Sequence, residues 1–144
     1  MNIAFRQSDG RTRNAGRRTT LACDSILDNL LLEKEYSGAY YLAGLAIECA
    51  IKAVIAKRMK RHHYPVKDSH KFYTHDPATL VGLAELDLGS QESADQKFGQ
   101  YWATVKDWKV DCRYDVIDRQ AAVDLYKAIT ARRHGVLQWL RKNW

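Results

Sequence analysis

The sequence predicts an all-α fold, and three observations carry that prediction. Residues 37–61 are apolar on almost every side of a helix, as expected of a segment wrapped by neighbours. Phe98, Tyr101, Trp102, Val105 and Trp108 recur at three- and four-residue intervals, the spacing of one helical face. No segment shows the sustained period-two alternation of a half-buried strand. Helical segments joined by short connections imply an antiparallel helical bundle. A chain of 144 residues, 46% of them hydrophobic, has the size for one domain around a single core.

Residues 1–18 hold Arg6, Arg11, Arg13, Arg17 and Arg18 among Ser, Asn and Gly, without periodicity, and read as a basic flexible arm preceding a helical domain over 19–144. Thr19 or Thr20 is placed to cap a first helix, with Leu21, Ile26, Leu27, Leu30 and Leu31 as its stripe through residue 34. Ser37 and Gly38 mark the bend into a second helix ending near residue 61, on the order of 37 Å long. Its many Ala and Gly residues let neighbours approach closely, which makes it the central member of the bundle.

The second helix ends in Lys57, Arg58, Lys60 and Arg61, suited to the negative end of its dipole, and Pro65 blocks continuation. His62 to His75 reads as a loop. Asp76-Pro77 is a cap and first-turn pair for a third helix, with Leu80, Val81, Leu83, Ala84 and Leu86 inward up to Gly89. A fourth helix follows from Glu92 to Trp108, its aromatic stripe assigned to the core. After an extended "KVDCRYDVI", Asp118 caps a fifth helix whose inner face runs from Ala122 to Leu140.

The chain lacks an apolar amino-terminal signal and any run of roughly 20 uninterrupted apolar residues, so the expectation is a cytoplasmic protein without a membrane partner. Cys23, Cys49 and Cys112 lack the pairing of a zinc site or a disulfide framework and read as buried thiols. His62, His63, His70 and His75 match no familiar metal-ligand spacing, so neither a metal nor a cofactor is expected. The formal charge of +6 gathers in the arm and around residues 57–71, favouring a polyanionic partner. Arg17, Arg18, Arg58, Lys60 and Arg61 are the candidate nucleic-acid contacts.

Glu48 and Lys52 stand on a sector of the central helix shared with Tyr41, Leu45 and Ile55. Glu48 lies one turn before Lys52, the favourable order for an ion pair. The alternative partner is Arg113, reaching across the bundle to a carboxylate that burial leaves in need of a cation.

"AYYLAGLAIECAIKAVIAKR", "HDPATLVGLAEL", "WATVKDWKVDCRYD" and the final helix from Arg119 together resemble the HEPN domain family of bacteria and archaea, over residue 19 to the end. The resemblance implies an up-and-down four-helix core with an additional helix, commonly homodimeric. It implies metal-independent RNA cleavage in toxin–antitoxin or phage-defence settings, often beside a nucleotidyltransferase-like antitoxin. The family's signature is an arginine followed by a polar residue, with a histidine four to six positions on. Arg113 falls at the motif arginine, but Tyr114 replaces the polar neighbour and Asp118, Arg119 and Gln120 stand where the histidine belongs. Arg58 and His63 satisfy the bare spacing at the other end of a helix, with apolar Met59 between them.

The site implied by the resemblance is Arg113 as phosphate binder, Glu48 positioning it, and Tyr114 or Asp115 assisting. His75 and His134 are further conceivable proton carriers. The expected function is a HEPN-like module that binds RNA, a nucleotide or a protein. A metal-independent ribonuclease with a variant site at a dimer interface is the alternative, and a structural helical subunit the third possibility.

Overall fold

A computed structural model describes residues 25–58 and 69–143. Among them every regular element is helical: α1 (25–32), α2 (Tyr36–Arg58), a 3-10 turn (Ser69–Tyr73), α3 (Pro77–Leu83), α4 (Leu88–Ala94), α5 (Gln96–Lys106), a second 3-10 turn (Val110–Tyr114), α6 (Arg119–Thr130) and α7 (Val136–Arg141). The arm over 1–18, with Arg17 and Arg18, the basic pair Lys60 and Arg61, and His62, His63, Cys23 and Trp144 lie outside the described residues.

The all-α prediction agrees with this architecture, and α2 is the central rod. It packs against α3, α6, α7 and the second 3-10 turn. Ala43, Ala46, Ile47, Ala50, Ile51, Val54 and Ile55 are buried along it, and small side chains keep its neighbours close. By length and composition alone α2 would also suffice to cross a bilayer, but over half of its apolar window is buried inside the protein.

The aromatic stripe of α5 faces inward as expected. Phe98, Trp102, Val105 and, just past the helix end, Trp108 are buried. Trp139 of α7 meets Phe98 and Trp102 edge-on, with ring centroids 5.1 and 6.5 Å away. Such T-shaped contacts align the positive ring edge with a negative face. The tightest approach is between α2 and Trp108: a Cβ added at Gly44 would stand 1.9 Å from the indole Cε2. Only a residue without a side chain fits there.

Element boundaries differ from the sequence reading in several places, among them the 3-10 turn Ser69–Tyr73 inside the expected loop and the end of α5 at Lys106 instead of Trp108. The third helix, expected up to Gly89, ends at Leu83, because Glu85 turns the chain with a φ of 52°, and Asp87 then caps a separate α4 that overlaps the start expected for the fourth helix, accepting from the Ser90 N–H. Asp95 likewise starts α5 as a separate helix, accepting from the Phe98 N–H. The segment expected to be extended forms the 3-10 turn Val110–Tyr114. The fifth helix stops at Thr130 and restarts at Val136, where an added Cβ at Gly135 would meet the Ala131 carbonyl oxygen at 2.4 Å. Asp76 and Asp118 cap α3 and α6 as their positions predicted, accepting from the N–H groups of Thr79 and Ala121.

Gly44→Ala is expected to lower unfolding stability by about 1–3 kcal/mol or more, since it forces overpacking against a rigid indole. Gly82→Ala, in α3 with nothing within 4 Å of the added Cβ, should instead raise it by about 0.5–1 kcal/mol. Urea unfolding of the two variants checks this, and an equal effect at both positions would contradict the packing described.

Candidate functional site

Glu48 is the single buried charged residue among those described, 6% exposed in the middle of α2. An isolated carboxylate at such a depth is strongly unfavourable, and two groups offset the cost. Lys52 Nζ donates to Oε1 at 2.6 Å from one turn further along the same helix. His75 Nδ1 lies 2.9 Å from Oε2. A carboxylate only accepts, so in the neutral ring the proton sits on Nδ1 and Nε2 carries the free lone pair. The His75 side chain is 51% exposed, so the ring bridges a buried anion and solvent.

His75 is held at that point by the start of α3. The next residue, Asp76, is the N-cap: its Oδ2 accepts from the Thr79 N–H at 2.8 Å and from the Thr79 hydroxyl at 2.7 Å. Its other oxygen accepts from Lys109 Nζ at 2.9 Å. The Asp76 carboxyl is held below its ordinary range, chiefly by the Thr79 hydroxyl and further by Lys109. Two adjacent residues thus tie three elements together. His75 reaches α2, and Asp76 reaches the stretch of chain that leads into the second 3-10 turn.

That turn carries Arg113. Its guanidinium carbon lies 4.7 Å from the centroid of the Tyr114 ring, a cation–π arrangement at the surface. The Arg113 pKa is raised, first by the Tyr114 phenol and further by the Tyr41 hydroxyl. Tyr114 is 77% exposed and Val116 98%, so the pair stands at the protein's edge. The Ile117 N–H donates to Ser37 Oγ at 2.9 Å, fastening the end of this segment to the start of α2. Beneath it the Cys112 thiol is pushed up by burial, and so is the Tyr40 phenol, so both stay protonated at neutral pH.

Tyr41 and Glu48 are seven residues apart on α2, two turns and roughly 10 Å along one face. Arg113 beside Tyr41 and His75 on Glu48 therefore belong to one side of the central helix, with the Asp76–Lys109 pair joining their segments.

Several residues expected at the site sit elsewhere. Glu48 does not position Arg113: its oxygens engage Lys52 and His75, and the guanidinium turns to Tyr114 and Tyr41. Asp115 is exposed, and its N–H donates to the Cys112 carbonyl, which closes the 3-10 turn. Arg58, expected to touch nucleic acid, donates to the carbonyl oxygens of Ala84 and Glu85 at 2.6 and 2.9 Å. It caps the end of α3 and bridges toward Asn143 at 3.5 Å. His134 pairs with Asp95 at 2.7 Å on another part of the molecule. Lys109 went unrecognised in the sequence. Its only signal was its place just ahead of "VDCRYD". No cluster of three or more metal-ligating side chains occurs among the described residues.

In comparison with known proteins, the sequence matches no family model, no curated protein and no solved structure.

Asp76 gives the site a defined acid dependence. Its folded-state pKa is depressed, so the unfolded chain takes up its proton first as pH falls. The stability it contributes is present above the ordinary carboxyl pKa of about 3.9 and is lost as pH drops through the lower folded value. Asp76→Asn should therefore unfold at lower urea than the parent at pH 6 and at nearly the same urea at pH 2. A gap that persists unchanged across that range would contradict the assignment.

Proposed function

We propose that this chain is a HEPN-like module that binds RNA, with an up-and-down four-helix core and an additional helix. The observation that carries the reading is Arg113: a guanidinium stacked on Tyr114 at the protein surface, on the side of α2 that also presents Lys52, Lys109 and His75. A permanent cation on an aromatic plane suits a phosphate beside an unstacked base, the form in which proteins read single-stranded RNA. The excess positive charge of the chain favours the same partner. In this reading the module works in the cytoplasm as a homodimer, in a toxin–antitoxin or phage-defence setting. A nucleotidyltransferase-like antitoxin is its protein partner.

A metal-independent ribonuclease is the second reading, and the His75–Glu48 pair favours it, because it supplies a proton acceptor that the family's signature position lacks.

Arg113→Ala should weaken binding of a labelled single-stranded RNA in fluorescence anisotropy by about tenfold, the order expected for a charge-assisted hydrogen bond. The slope of log affinity against log salt should become shallower by about 0.7, because one phosphate fewer is neutralised by the protein. An unchanged affinity and slope would overturn the role of Arg113.

A further inference from the structure

We infer that an exposed, acid-rimmed apolar strip at the start of α2 is a docking site for this chain's own residues 1–18, with Ile3 and Phe5 on the apolar side chains and arginines on the carboxylates around them. The inference stands apart from the RNA-binding reading and uses no part of it.

The strip is laid out by contacts at one end of the central rod. Arg113 stands beside Tyr41 and the Ile117 N–H is bonded to Ser37, so residues 113–117 run antiparallel to the first turns of α2. The turn that joins α1 to α2, with Lys34 at a φ of 62°, lies at the same end. Five large apolar side chains are exposed among the described residues, and three of them belong to these two segments: Leu32 and Tyr114, each 77% exposed, and Val116, 98% exposed. Such clustering of apolar surface marks a place where something binds.

Charge selects the occupant. Glu33, Glu35, Asp111, Asp115 and Asp118 are exposed beside the strip, outnumbering Lys34, Arg113 and Arg119, on a chain whose net charge is +6. Among the described residues Glu33, Glu35, Asp111 and Asp115 form no ion pair, whereas Asp76 and Asp95 do. The fitting occupant is therefore apolar and cationic together. The same strip on a second copy does not qualify, because like charges would face each other. Of the two basic stretches in the sequence, the one over 57–71 begins at the far end of α2, roughly 33 Å along the rod. Residues 1–18 combine Ile3 and Phe5 with Arg6, Arg11, Arg13, Arg17 and Arg18 against one acid, Asp9. They precede α1, whose last residue is Leu32 of the strip. Because both partners belong to one chain, the contact needs little intrinsic strength: a short tether supplies an effective concentration on the order of mM.

The test is NMR on the full chain with labelled methyl groups and labelled Phe rings. Nuclear Overhauser contacts should connect the Phe5 ring to the methyls of Val116 and Leu32, with an intensity that does not change on dilution. Leu32→Ser combined with Val116→Ser should abolish them and leave the core resonances in place, since both side chains project into solvent. Ile26→Ser, on another face of α1, should leave the contacts intact. Raising salt from ~50 to ~500 mM should weaken them, because exposed guanidinium–carboxylate attraction is screened. Contacts that survive the double substitution or are indifferent to salt would overturn the site. Contacts detected only between differently labelled copies would overturn docking within one chain in favour of a second copy's arm. Absence of any contact, with strip resonances that move only on adding RNA or another protein, would overturn the inference and leave the RNA-binding reading of Arg113 standing.

Discussion

A carboxylate sunk into the most apolar helix of the molecule is the constraint around which the rest is arranged. Glu48 needs compensation from within hydrogen-bond reach, and α2 alone provides half of it through Lys52. A second contact comes from another element, where His75, just ahead of α3, meets Oε2. The Asp76 cap then fixes the direction in which α3 leaves, and Lys109 draws the end of α5 toward the same point. Removing one partner of such a link would leave a charge buried without compensation, which is strongly destabilising, so the contacts act as one unit.

Packing sets what else stands on that side of α2. The Gly44 contact lets the Trp108 indole lie directly on the α2 backbone, and the chain after Trp108 consequently stays close to the central helix. The 3-10 turn that follows sends Cys112 inward and leaves Arg113 and Tyr114 outward. One close approach thus decides that a cation–π pair stands on the same side of α2 as the histidine–carboxylate pair. Neither pair lies in a loop free to drift: Ser37 anchors one segment and Thr79 the other, through Asp76.

Much of the scaffold was legible because its causes are local. The continuous apolar character of α2, the inward aromatic stripe of α5, and the caps at Asp76 and Asp118 are all written within a few residues of the feature they specify. The boundaries that escaped depend on single residues within longer patterns. Leu80 to Leu86 continues a helical stripe across the turn at Glu85, and the apolar run from Ala122 to Leu140 hides the break at Gly135. The 3-10 turn escaped because Val110, Val116 and Ile117 favour extended chain, whereas contacts with α2 decide the outcome. At the site, the Glu48–Lys52 pair was visible at one-turn spacing. The His75 contact spans 27 residues and no periodicity announces it. Arg58 shows the converse: a cation in a basic cluster reads as a ligand contact until its carbonyl partners are known.

A buried carboxylate holds His75 in one tautomer with Nε2 free, and nitrogen-15 NMR of the labelled imidazole distinguishes that ring from an unconstrained one. Neutral His75 is expected to carry its proton on Nδ1, with a pyridine-like Nε2 resonance, and Glu48→Gln to move the ring toward the tautomer mixture of a solvated histidine. A neutral ring protonated on Nε2 in the parent, or a tautomer balance indifferent to Glu48, would contradict it.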